Sequence, residues 1–480
     1  MKRFILTLPL VLAACVVGRD YQPPEIAVPA KWSENIAAQK TSDKWWQSFN
    51  DATLNGLIDE AIAANLNLKQ ALARVKEARI LRSQTIATGL PSLSGKNTAS
   101  RRFNNSSTGG GSPVGSQAIN IFQLGFDATW ELDLFGGIQR AVEASDAAID
   151  AEIENSRDVL LTLQGDVARE YITLRANQQL LITHQALLAA QLETVKLTQI
   201  RQQSGLVNAL EVAQAQAQFD NTAANSPRYE TEIKQAIHAL SVLLGREPNA
   251  LMPRFTISKP IPNAKVSMTN LPSELLQRRP DIRHAERQMA IANAYVGIAT
   301  AELYPKVNLA AFIGLQNLKM TDFTPMGKSW SSASTITMPL FNWGKLQANI
   351  KVKDAQYEQA FLTYQSVVLT AFQEVENALV AQHNESQRYD ALSQAVTANQ
   401  TALELANKRY EKGLTGFIDV LQVQQALYQT QTAQVESLAT VAQQFVALQK
   451  ALGGGWQNEA RVAEPEKQTV LESILKPPKL

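Results

Sequence analysis

Landmarks in the first half of the chain return in the second at a nearly constant interval, and this internal repeat constrains the fold more than any other feature. Asn67-Leu68-Lys69 pairs with Asp281-Ile282-Arg283, Leu90-Pro91 with Tyr304-Pro305, and Leu134-Phe135 with Leu340-Phe341. Gly205-Leu206 pairs with Gly413-Leu414, Val212 with Val420, and Leu244-Gly245 with Leu452-Gly453. The spacing stays near 206–214 residues, so the two halves are colinear. Each half reads helix, strand, loop, strand, long helix, turn, shorter helix.

The first repeat covers 51–245. Apolar residues at Leu57, Ile58, Ala61, Ile62, Leu68, Ala71, Leu72 and Val75 step by three and four, which predicts helix from Leu54 to about Ala87; Gly89-Leu90-Pro91 ends it. Strands follow at about 91–103 and 120–134, around a Ser-, Asn- and Gly-rich loop. In the second strand Phe122, Leu124, Phe126, Ala128, Trp130, Leu132 and Leu134 share one face. Gln123, Gly125, Asp127, Thr129, Glu131 and Asp133 share the other. That alternation and length suit a tilted membrane strand with lipid on one side and water on the other. From Ile138 to Ser204 there is no proline, and Ile153, Leu160, Val167, Leu174, Leu181, Leu188 and Val195 recur every seven residues. This coiled-coil period predicts a rod of roughly 100 Å. A turn at 204–208 leads into a helix over about 209–244. A proline-rich equatorial connector, 246–271, joins the second repeat, 272–455. Its strands fall at about 305–317 and 330–341, its second long helix has neither Pro nor Gly between Lys345 and Lys412, and its turn lies at 412–416. Residues 456–480 read as a loose tail.

Two amphipathic strands per repeat give four per chain. Four strands cannot close a membrane barrel, and an open edge cannot face lipid. The chain must therefore assemble around an axis; three copies would supply about twelve strands, an allowed even number. The arithmetic excludes a monomer and leaves two-, three- and fourfold assemblies open; the fold class expected is mainly α with a membrane β-barrel. A hollow barrel continued by a hollow rod is a conduit.

The start of the chain gives the compartment. Met1-Lys2-Arg3, an apolar run from Phe4 to Leu12, and Ala13-Ala14 before Cys15 read as a signal peptide over 1–14. Leu12-Ala13-Ala14-Cys15 resembles a bacterial lipobox, whose cysteine is acylated and becomes the first mature residue. Val16 in the next position fits outer-membrane sorting, so the anchor lies in the outer membrane and the rod points into the periplasm. Residues 15–50, with Pro23-Pro24, Pro29, Trp32 and Trp45-Trp46, read as a lipidated extended segment able to wrap a folded body. Charge is nearly balanced, 45 Lys+Arg against 44 Asp+Glu, which makes no case for a nucleic-acid partner. With 1 cysteine and 4 scattered histidines, no composed metal site is expected, and no cofactor beyond the covalent lipid on Cys15. No phosphate loop or catalytic cluster points to an enzyme.

Taken in order, further motifs are specific. They are Gly18-Arg19-Asp20-Tyr21 with Pro23 and Pro29, Trp45-Trp46 with Phe49, and Arg278-Arg279-Pro280-Asp281-Ile282-Arg283 with Ala285-Glu286. Pro339-Leu340-Phe341 with Gly344, Arg409-Tyr410, Gly413 and Asp419-Val420-Leu421 complete the set. Over nearly the whole mature chain this resembles the TolC-type outer-membrane efflux proteins, in the lipoprotein branch that includes OprM. The resemblance implies a homotrimer, with a 12-stranded β-barrel continued by a 12-helix periplasmic α-barrel, that docks onto a periplasmic adaptor (a membrane fusion protein). It also implies an inner-membrane transporter of the resistance-nodulation-division type, and a role in efflux and antibiotic resistance. It places the two turns, Gly205, Leu206 and Val207 and again Gly413, Leu414 and Thr415, against the adaptor. It makes Arg409 and Tyr410 ties that hold the tip closed, and Asp419 the first of two acidic positions at the constriction. Gln422 stands where the second acid would be, and the first repeat offers Glu211 and Gln214 at the equivalent places. Two other readings stay open: a duct of a type I protein secretion system, and a structural coiled-coil envelope lipoprotein.

Overall fold

The computed structural model describes residues 16–29, 31–33, 44–104, 117–264, 272–319 and 327–457. The expected signal peptide, Cys15, the loop at 105–116 and the tail from 458 onward lie outside these residues.

A single-turn helix, Trp45–Phe49, leads into α1 (Ala52–Ala64), α2 (Leu66–Thr88), β1 (Ser92–Asn104) and β2 (Gln117–Leu132). Then come the first long helix α3 (Gly137–Gln203), α4 (Ala209–Ala223) and α5 (Ser226–Leu243). The second repeat supplies α6 (Pro272–Arg278), α7 (Pro280–Ala301), β3 (Lys306–Asn317), β4 (Lys328–Thr337), α8 (Lys345–Glu411) and α9 (Phe417–Ala451). Both long helices have 67 residues, and both follow a glycine in the left-handed region, Gly136 at φ 77° and Gly344 at φ 75°.

Several boundaries differ from the sequence expectation; β2 ends at Leu132, so Asp133 and Leu134, expected on its two faces, lie beyond it. The helix expected from Leu54 to Ala87 breaks at Asn65, whose side chain accepts from Leu68 N at 2.9 Å and so starts a new helix. The helix expected over 209–244 breaks at Ala224-Asn225, where Pro227 occupies the first turn of α5 and cannot donate backward. In the second repeat α9 runs unbroken for 35 residues. The strand expected over 330–341 spans Lys328–Thr337 instead, stopping two residues before Pro339, which has no N–H for a ladder.

The sheet is four-stranded, antiparallel and ordered β1-β2-β3-β4. Its register puts Phe126 opposite Gly95 and Ile313, and Trp130 opposite Leu309. Since paired residues share a face, the even-numbered apolar residues of β2 line up with Leu309, Ile313 and Leu315 of β3 and Trp330 of β4. The opposite face carries the Lys96–Asp127 ion pair at 3.0 Å and the Lys306–Glu131 pair at 3.9 Å. One aromatic interrupts it. Phe312 is buried over Gly125 and Gly314, a cross-strand pair. A Cβ on either glycine would come within 2.7 Å or 2.8 Å of the ring, so only glycine admits it.

Two cores sit midway along the helices. One gathers Trp45, Trp46 and Phe49 with α1, Leu160 to Ala176 of α3, α5 and Phe445 of α9. The other joins α7, Tyr364 to Leu379 of α8, and Leu448 to Leu452. Between them the Arg-Arg-Pro-Asp motif is a buried staple. Arg279 donates to Asp281 at 2.6 Å, to Glu374 at 2.6 Å and to the Ala451 carbonyl at 3.1 Å. Outside, the N-terminal segment is strapped across the helices. Buried Arg140 donates to the Val17 and Gly18 carbonyls and to Asp20, and Trp32 packs edge-on to Phe372 at 6.1 Å.

Candidate functional site: the helical tip and the sheet

Both tip turns close the same way. Leu206 N donates to the Arg201 carbonyl and Leu414 N to the Arg409 carbonyl, each at 2.9 Å. Gly205 at φ 71° and Gly413 at φ 70° take the left-handed conformation that ends such helices. The next helix is capped by Asn208 in the first repeat, which accepts from Leu210 N and Glu211 N. In the second, Gly416 has no side chain to offer, and the Thr415 hydroxyl donates to the Asp419 carboxylate one turn on. The turns expose matching apolar residues: Leu206 is 68% and Leu414 65% accessible.

Just behind the turns a small core holds Val195, Ala215, Tyr410, Phe417 and Val420. Tyr410 is its centre. Its ring packs on Phe417 at 5.6 Å, the Arg201 guanidinium lies 4.5 Å over it, and its hydroxyl donates to Glu211 Oε2 at 3.4 Å. Burial pushes the phenol above the ordinary tyrosine range, while the Arg201 charge opposes that. The structure therefore joins two of the gate candidates, Tyr410 and Glu211, and the joint crosses from one repeat to the other. Arg409, Asp419 and Gln422 are exposed in the single chain, and Gln214 and Val207 are half-buried. Arg201 was not among the candidates. The repeat contains the signal: Arg201 precedes Gly205 by four residues, as Arg409 precedes Gly413.

A second polar cluster lies farther from the tip. His184 is fully buried, with its ring nitrogens 3.2 Å from Tyr428 Oη and 3.0 Å from Ser226 Oγ. Burial lowers its pKa, because the imidazolium would lose its hydration there. Among the described residues no His, Cys, Asp and Glu group of metal-binding form occurs, and no helix is long and apolar enough to cross a membrane.

The model of the family "Outer membrane efflux protein" matches residues 57–246 and 271–454. The chain belongs to the outer membrane efflux protein family. Members similar to it include the solvent efflux pump outer membrane protein SrpC of Pseudomonas putida, 31% identical over 93% of this chain and 97% of that protein. Nodulation protein T of Rhizobium leguminosarum bv. viciae is 31% identical over 97% of this chain and 95% of its own length. Among solved structures the outer-membrane channel OprN aligns with a TM-score of 0.85 at 31% identity, covering 92% of this chain and 100% of that one. The open state of the Neisseria gonorrhoeae MtrE channel aligns at 0.78 and 28% identity, covering 93% and 99%. The family is one of outer-membrane channels and ducts rather than enzymes, and the chain has the mainly helical channel fold that its members share.

Proposed function

We propose that three copies form the outer-membrane exit duct of a tripartite efflux pump. The duct is passive. An inner-membrane transporter of the resistance-nodulation-division type supplies substrate, and a periplasmic adaptor seals the transporter to the duct. The observation that carries this reading is the pair of open sheet edges. Among the described residues strands β1 and β4 have no outer neighbour, on a sheet whose exposed face carries Phe126, Trp130, Ile313 and Trp330. Such a sheet is stable in lipid only when other copies complete it. The long helices continue below it as the periplasmic tunnel, and an acylated Cys15 fixes the assembly to the outer membrane.

The tips take two roles in this reading. Exposed Leu206 and Leu414, with Val207 and Thr415 beside them, present apolar knobs to the helical hairpins of the adaptor. Behind them Tyr410, Glu211 and Arg201 hold each tip together, and Arg409 ties it to the next copy. Asp419, repeated by threefold symmetry, favours cations at the mouth. The test is transport in a host lacking its own duct. Co-expressed with an adaptor and transporter of a family pump, the chain should restore dye efflux, and a tip variant of exposed Leu206 and Leu414 to Asp should not. Full efflux from the tip variant would remove the docking role; no efflux from the native chain would remove the pump.

A further inference from the structure

The four helices nearest the sheet stand in a row, α2-α3-α7-α8, and the row has two sides. One side carries the N-terminal strap. There Tyr21 donates to Glu286 at 2.5 Å, Arg19 donates to Asn293 at 2.8 Å, and the Arg19 guanidinium lies 4.2 Å over Tyr357. The other side begins under the charged face of the sheet, in a cleft shared by Glu131, Lys306, Ile298 and Glu302. From Glu302 and Ile298 the same stripe runs down α7 in steps of three and four through Tyr295, Ile291, Gln288, His284 and Asp281. On α8 it runs through Lys353, Gln356, Ala360, Thr363 and Val367, and the Lys353 ammonium lies 5.4 Å over the Tyr295 ring, which joins the two stripes.

Farther down this side, beside the second core, α3, α7 and α8 leave a hollow of about 340 Å³. Ala285, Ala360 and Val367 make its wall, and Asp158, Asp281 and His284 supply polar groups. A mostly apolar hollow of this size with a few convergent polar groups has the form of a small-molecule site. Its two carboxylates differ. Asp281 is held by Arg279 through both oxygens, at 3.0 Å and 2.6 Å. Higher on α3, Asp150 and Glu154 are likewise paired, with Arg287 and Arg283. Among the described residues no hydrogen bond or ion pair engages half-buried Asp158. Burial raises its pKa and the neighbouring Asp281 adds to this, while Lys450 of α9 and Arg279 and His284 of α7 oppose it. Such a carboxylate gains from a cation brought into the hollow. Among the described residues no group has metal-binding form, and the apolar wall suits a cation with a carbon body better than a bare ion.

We propose that this hollow is a weak binding site for an organic cation with an apolar body, its charge on Asp158 and its body against Ala285, Ala360 and Val367. The proposal rests on the exit-duct reading, in which the side of the row opposite the strap faces the lumen, and it names a class of cargo that pauses on the wall. Weak binding suits a duct, because a site on a conduction path must be favourable enough to enter and weak enough to leave.

The test is single-channel recording of purified trimers in planar bilayers, with benzyltrimethylammonium added to both sides. The native channel should show brief blocks. The half-blocking concentration should rise about tenfold in Asp158→Asn, which removes the charge, and comparably in Ala360→Phe, which fills the hollow and keeps the charge. Asp158→Glu should retain the block. Tetramethylammonium, which has the charge without the ring, should block the native channel more weakly. The reversal potential in a potassium chloride gradient should stay at its native value in Ala360→Phe, so that lost block reports lost fit and not a changed field. Asp158→Asn is nearly isosteric and decides alone if Ala360→Phe does not assemble. A native channel that conducts without block, or a block that Asp158→Asn leaves unchanged, would overturn the site and leave the exit duct standing. Native trimers that insert and pass no current would overturn both.

Discussion

Tyr410 shows how one side chain serves two repeats. Its ring fills the tip core and its hydroxyl reaches Glu211, so loss of the hydroxyl leaves the packing and removes the tie. A hydrogen bond of this kind is worth on the order of 1 kcal/mol, and about 1.5–3 where a charge takes part. Tyr410→Phe combined with Arg409→Ala should raise single-channel conductance in planar bilayers while leaving the thermal transition of the trimer within a few degrees; unchanged conductance would place the constriction elsewhere. Asp419→Asn should reduce cation preference, read from the reversal potential in a salt gradient. In the proposed gate Gln422 stands where the family resemblance implies a second acid, so the native preference should already be modest. His184 gives a pH dependence. Its folded pKa lies below the unfolded value, so the unfolded chain binds more protons, and stability present above about pH 6.5 falls as the solution is acidified. Melting temperatures between pH 7.5 and 5 should drop less in His184→Gln than in the native chain; parallel curves would show that His184 does not report this burial. Of the tip residues, Tyr410 and Glu211 were legible from the motif and the repeat. Arg201 was equally legible by position but was overlooked because it matched no motif. The buried polar contacts of His184 were not legible, since a lone histidine in a helix carries no sign of what crosses it.

At the scale of elements, periodicity spoke clearly where a face repeats over many residues. The strand β2 and the two long helices are such cases, because each shows lipid, lumen or core the same side throughout. Breaks set by single side chains were missed: Asn65 and Asn225-Pro227 interrupt helices whose apolar stripes continue past them. The tip turns depend on backbone conformation instead. Gly413 sits at φ 70° with open space around it, so a β-branched side chain there strains the backbone without a clash. Gly413→Val should cost about 1–3 kcal/mol locally, lower dye efflux severalfold and leave trimer yield unchanged, as gel and efflux assays can show. Loss of the trimer would make the turn a folding element and not a docking one.

The whole molecule is one unit written twice, and the repeat made its architecture legible before any contact was known. What the repeat alone could not give was the order of helices in the row, which follows from the packing of α3 between α2 and α7. In the proposed reading a lipid on Cys15 would add an anchor to a body whose sheet already presents an apolar face to the membrane. Cys15→Ser should abolish acylation, seen as the loss of the lipid mass, and leave the purified trimer intact; a soluble monomer would reverse that ranking of anchor and barrel. The central claim is that the chain makes a water-filled conduit, and single-channel recording tests it most directly. Purified trimers carrying Tyr410→Phe and Arg409→Ala should insert into planar bilayers and give discrete, ohmic conductance steps larger than those of the native protein. Membrane-inserted trimers of both proteins that pass no current at any voltage would contradict it.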